Sequence, residues 1–280
     1  MTTAASRVKN MTATSLLRLL QIRFPPLVLT LAGLGALLLP AIPHGAELPQ
    51  IIERVKPAIV GVGTFEKTRS PTVNFMGTGF AVGDGRHVVT NAHVVPAVMD
   101  GEKRESLIIM TNQGKETMGR NAQLVALDKE HDLALLRIDG DALPTIKLGN
   151  SSTVREGQAL FFTGFPIGMV LGLHPVTHRG MVSAITPVVM PGLNTQRLDA
   201  KMVARLRDSL YDVFQLDGVA YPGNSGSPLY DPENGLAYGI VNMVFVKGTK
   251  EAALSQPSGI TYAIPGNYIR DLLRQERLIE

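Results

Sequence analysis

The chain has 280 residues, 45% of them hydrophobic and 18% charged, which is enough apolar material for a sizeable core and too little charge for a disordered chain. It has no cysteine, which excludes disulfides, thiolate metal sites and cysteine nucleophiles together. Of its 27 basic and 24 acidic residues, four basic ones (Arg7, Lys9, Arg18, Arg23) and no acidic one fall within residues 1–46. The remainder is close to neutral and has no basic stripe interleaved with aromatics, so nucleic acid is not an expected partner.

The first predicted element is apolar. No charged residue occurs between Arg23 and Glu47, and LVLTLAGLGALLL (Leu27 to Leu39) is interrupted only by Thr30 and glycines. A basic start followed by such a run reads as a secretory signal peptide or as an uncleaved N-terminal membrane anchor. Pro43 and His44 stand where a signal peptidase wants a small residue. That tilts the reading towards a retained hydrophobic helix, with its basic end in the cytoplasm and the residues after it outside. Residues 1–46 are therefore set apart from a body spanning 47–280.

The body reads as short strands separated by turns. In chain order these are AIVGVGTF (Ala58 to Phe65), a strand–turn–strand–bend over Gly77 to Val95, LIIMTNQGKE, NAQLVALD and HDLALLRID. QALFFTGFPIG, THRGMVSAITPVV, GSPLYD, LAYGIVNMVFV and GITYAIP continue the series. Strands at this spacing indicate an all-β barrel or sandwich. Two stretches differ. Leu198, Met202, Leu206 and Leu210 recur at four-residue steps within Arg197 to Phe214, which predicts an inserted helix over 197–214. GNYIRDLLRQERLIE predicts a C-terminal helix with Asn267 as its N-cap.

Chemistry enters at YPGNSGSPLY (Tyr221 to Tyr230), where Ser225 sits in a bend between Gly223 and Gly226. Such a run is also an ordinary turn composition. A nucleophilic serine needs a base, and a group that orients the base. VVTNAHVV supplies His93 just after a strand, and HDLALLRI supplies Asp132 at the start of one. Each is a weak signal alone; together they give the order His93, Asp132, Ser225. An imidazole titrating near neutrality can take the hydroxyl proton and return it to a leaving amine. A carboxylate behind the ring fixes its tautomer. The backbone at Gly223, Asn224 and Ser225 is then the expected oxyanion hole, because glycine permits the bend and leaves its N–H unobstructed. The six histidines show no metal-binding spacing, and no metal is expected.

TNAHVV, DLALLRI and PGNSGSPL, with SGITYAIP near the end, resemble the trypsin-fold serine proteases, and most closely the HtrA/Deg branch, over roughly residues 50 to 275. The resemblance implies two antiparallel six-stranded β-barrels, about 55–145 and about 155–265, with His93 and Asp132 from the first and Ser225 from the second. It implies a serine endopeptidase without cofactor, acting on unfolded or misfolded polypeptides in the periplasm, secreted or held at the inner membrane by the N-terminal segment. A catalytically weak, chaperone-like binding module on the same fold is the alternative. Family members are commonly trimers and commonly carry PDZ domains after the protease; here no PDZ domain is expected, since the sequence ends at Glu280. The insert at 197–214 falls where the family has a shorter regulatory loop. By the same resemblance Val219 forms the floor of the primary specificity pocket. The strand IVNMVFV forms its wall, where Asn242 to Val246, with Met243, Val244 and Phe245, present bulky apolar groups. Cleavage after small apolar residues such as Val or Ala is expected.

Overall fold

The strands of this chain close on themselves twice. The computed structural model describes residues 47–97, 104–113, 116–168, 172–188, 211–242 and 259–280. The chain divides into the units Met1–His44 and Gly45–Glu280, and every described residue belongs to the second. The first barrel comprises β1 (Ile59–Phe65), β2 (Val73–Val82), β3 (His87–Asn91), β4 (Ser106–Gln113), β5 (Glu116–Asp128) and β6 (Leu133–Ile138). Its strands are ordered β1-β2-β3-β6-β5-β4 around a closed ring. The second comprises β7 (Ala159–Gly164), β8 (Val176–Pro187), β9 (Asp212–Asp217), β10 (Pro228–Tyr230), β11 (Ala237–Asn242) and β12 (Ile260–Pro265), closed in the order β10-β11-β12-β9-β8-β7. All these pairings are antiparallel, and closure leaves neither sheet with a free edge. This is the trypsin-like architecture.

Strand β6 shows how the pleat builds the core. Ala134, Leu136 and Ile138 face one way and join a cluster drawn from first-barrel strands, with Val60, Val88 and Ile109. Leu133 and Leu135 face the other way, into a second cluster shared with Ile240 and Ile264 of the other barrel. A period of two feeds two cores because both faces of the strand are covered. The shared cluster also receives helix α1 (Leu48–Val55) through Ile51 and Val55, and helix α2 (Gly266–Gln275) through Ile269, Leu272 and Leu273. These residues recur at the three- and four-residue steps of a helical stripe, and each fully buried aliphatic side chain contributes about 1.5–3 kcal/mol.

Two expectations are corrected. The predicted helix over 197–214 ends too late: residues 197–210 lie outside the described residues, but Asp212 already begins β9. Val213 pairs with Thr186, and Phe214 pairs with Ile185 on one side and Ala263 on the other. The backbone bonds of two neighbouring strands override the helical spacing, since a helix there would open the barrel. Second, Asn267 is not an N-cap. Pro265 holds that position, and the Asn267 carboxamide instead reaches the segment before β7. It accepts from Ser151 N–H (3.1 Å) and donates to Asn150 Oδ1 (3.1 Å), while its own backbone N–H donates to Ser151 Oγ (3.0 Å). The expected N-terminal hydrophobic helix lies outside the described residues. Among those described, no helix is long and apolar enough to cross a membrane.

Candidate active site

His93 leaves β3 in a single 3₁₀ turn, Ala92–Val94, and Asp132 is the last residue before β6. Adjacent strands bring the two ends together. Asp132 O accepts from Ala92 N–H at 3.0 Å and from Asn91 Nδ2 at 3.1 Å. The Asp132 carboxylate then turns to the histidine: Oδ1 accepts the His93 backbone N–H at 2.8 Å, and Oδ2 lies 2.6 Å from ring Nδ1. A carboxylate only accepts, so Nδ1 carries the proton and Nε2 is left as the basic nitrogen. Asp132 has φ +52°, a left-handed conformation that aspartate tolerates better than most residues.

A third donor to this carboxylate comes from the other barrel. Asn242 Nδ2, at the end of β11, donates to Asp132 Oδ2 at 2.7 Å. The sequence reading placed Asn242 at the start of an apolar pocket wall. It is completely buried and bound to Asp132. No local signal marks it, because the two residues are 110 positions apart.

Ser225 sits in a turn stitched to both barrels. Asn224 N–H donates to Tyr221 O (2.9 Å), Ser227 N–H to Asn224 O (3.0 Å), and Gly226 N–H to Val241 O (3.0 Å). Thr78 of β2 ties the turn to the first barrel: its N–H donates to Ser225 O (2.8 Å) and its hydroxyl to Gly223 O (2.7 Å). Gly223 and Gly226 have φ of +102° and +90°. A Cβ at Gly223 would stand 2.3 Å from Phe165 O, and one at Gly226 would stand 1.8 Å from Thr78 O. Only glycine fits either position. Ile167, a β-branched residue held at φ +61°, donates its N–H to Pro222 O (2.7 Å) and backs the same turn.

His93 and Asp132 thus touch directly. Ser225 reaches them through Gly226, Val241 and Asn242, and no hydrogen bond joins its hydroxyl to the His93 ring among the described residues. Of the three expected oxyanion donors, Asn224 N–H is engaged within the turn. The N–H groups of Gly223 and Ser225 meet no acceptor among the described residues. Val219 is half-buried on the segment Gly218–Ala220, which the Thr261 hydroxyl holds by donating to Gly218 O (2.7 Å) and accepting from Ala220 N–H (3.0 Å). Met243, Val244 and Phe245 lie outside the described residues. Beside the His93–Asp132 pair opens a cleft of about 490 Å³, lined also by Val95, Leu124, Leu127 and Lys129. Among the described residues no three His, Asp or Glu side chains converge on a metal site.

Residues 77–240 match the family described as Trypsin-like peptidase domain, and the chain belongs to that family. It is 30% identical over 242 residues to a probable periplasmic serine endoprotease DegP-like of Halomonas elongata, covering 83% of this chain and 42% of that protein. It is 28% identical over 232 residues to serine protease HTRA1A of Danio rerio, covering 81% and 41%. The chain thus spans about two fifths of the length of the curated relatives it matches. Among solved structures it is similar to the HtrA-type protease AlgW with a decapeptide (TM-score 0.59, 23% identity, 82% of this chain and 67% of that one). It is likewise similar to AlgW with a tripeptide (TM-score 0.57, 25% identity, 82% and 63%).

Proposed function

We propose that this chain is an HtrA-like serine endopeptidase acting on unfolded or misfolded polypeptides outside the cytoplasm. The observation that carries the reading is the Asp132 carboxylate, which binds both the backbone and the ring of His93 and leaves Nε2 free to act as base. In the proposed reaction His93 Nε2 removes the Ser225 hydroxyl proton as Oγ bonds to the substrate carbonyl carbon. The N–H groups of Gly223 and Ser225 receive the oxyanion, a role in which one donor is worth about 2.7–4 kcal/mol. His93 then passes the proton to the departing amine as the C–N bond breaks. Water, deprotonated by the same nitrogen, releases the acyl group from Ser225.

A hydroxyl that is not yet bonded to the imidazole is compatible with this scheme, because such bonds often tighten only when substrate binds. Val219 on the pocket floor removes any acid that would favour Lys or Arg, and supports cleavage after small apolar residues. The names of the relatives support a periplasmic location, and a trimer and attachment through residues 1–46 belong to the same proposal. Labelling with a fluorophosphonate, followed by mapping of the modified peptide, is expected to find Ser225. Cleavage of unfolded casein should vanish in Ser225→Ala. Equal inertness of both proteins, with both suppressing aggregation, would instead favour the chaperone-like module.

A further inference from the structure

A residue held at φ +52° keeps that conformation only where its surroundings over-determine it, and the residue before Asp132 is itself held from several sides. His131 N–H donates to Asp128 Oδ1 at 3.0 Å, and its ring Nδ1 lies 2.7 Å from Asp128 Oδ2. The ring stacks on Tyr268 of α2, with centroids 4.0 Å apart and planes 20° apart. It meets Tyr211 edge-on at 4.7 Å, and Tyr211 packs against Tyr268 at 5.4 Å. Three rings from three distant parts of the chain therefore pack together at the residue whose peptide leads into Asp132. Tyr211 is itself fixed, buried in the shared core with its carbonyl accepting Val188 N–H at 2.9 Å. Burial, then the nearby Asp132 carboxylate, pushes its phenol well above the ordinary range, so Tyr211 stays neutral and acts by its shape.

We propose that His131 and Tyr211 are positioning residues for the peptidase reaction: the ring cluster they form with Tyr268 holds the turn before β6 so that the Asp132 carboxylate meets His93. Neither side chain needs to touch substrate. The proposal rests on the triad reading above. Without the rings, the turn can relax towards ordinary φ and carry the carboxylate away from Nδ1. His93 then loses the partner that selects its tautomer. Complete loss of that partner costs about 10⁴-fold in kcat in a studied protease, and a displacement of about 1 Å costs about 10²-fold.

The test uses the full chain with His131→Ala, Tyr211→Leu, Tyr211→Phe and Asp132→Asn, measuring kcat and KM on a peptide substrate, per folded molecule by circular dichroism. His131→Ala and Tyr211→Leu are expected to lower kcat about 10- to 100-fold with KM within about twofold. Tyr211→Phe keeps the ring and should behave as wild type. The proposal is overturned if Asp132→Asn is crippled while the two ring-removing variants keep wild-type kcat per folded molecule. It is also overturned if Tyr211→Phe falls as far as Tyr211→Leu. Full activity in Asp132→Asn would overturn the triad reading itself, a separate and distinguishable result.

Discussion

Asn242 Nδ2 donates to Asp132 Oδ2 over 2.7 Å, so the end of a second-barrel strand helps to aim a carboxylate at the start of a first-barrel strand. The relative placement of the barrels therefore bears on the orientation of His93. Removing the amide takes one donor from a charged acceptor, worth about 1.5–3 kcal/mol. Asn242→Ala is expected to lower kcat about 10- to 100-fold with little change in KM. Steady-state kinetics on a single peptide check this, and a rise in KM at constant kcat would refute it.

The turn glycines should separate into a stability position and an activity position. Gly226 has φ +90° and a Cβ direction that runs into Thr78 O at 1.8 Å, so Gly226→Ala is expected to destabilise the fold by about 3 kcal/mol or more. Denaturant midpoints measure it. Gly223→Ala meets Phe165 O at 2.3 Å and must move the N–H proposed for the oxyanion, so kcat should drop about 10²- to 10³-fold. Wild-type turnover in Gly223→Ala would remove Gly223 from the oxyanion role.

His178 predicts an acid-sensitive second barrel. It stacks on Phe162 (5.0 Å between centroids, 18° between planes), its Nε2 is buried without a hydrogen-bond partner among the described residues, and burial holds its pKa below the ordinary value. The unfolded chain binds a proton there below about pH 6.5 while the folded chain resists it, so stability is lost as pH falls from that point through the lower folded value. His178→Phe should keep the stack and lose less stability between pH 7.5 and 5.5 than wild type. Urea midpoints that fall in parallel for the two proteins would rule this out.

Peptide-library profiling should find cleavage after Val or Ala, with neighbours differing by one methylene separated by about 1–3 kcal/mol. Dominant cleavage after Arg would end the pocket assignment built on Val219.

The strands were legible because their apolar content and turn residues are local signals, and β6 shows it: every residue of LALLRI except the exposed Arg137 belongs to one of two cores. Strand β9 was hidden because the leucine spacing upstream masked DVFQLD, whose state is set by hydrogen bonds to β8 and β12 rather than by its own pattern. Asn267 misled for a similar reason. A side chain fit to cap a helix found better partners at Asn150, Ser151 and Ser152.

By itself the sequence determined the all-β class and the residue types proposed for the chemistry, because strand alternation and motif order are written along the chain; the two barrels were expected only from the resemblance those motifs carry. Only the tertiary structure decided what surrounds those residues: Thr78 reaches Gly223 across 145 positions and Asn242 reaches Asp132 across 110. Hydrogen bonds between residues so far apart depend on how the barrels pack, and packing leaves no periodic trace in the chain.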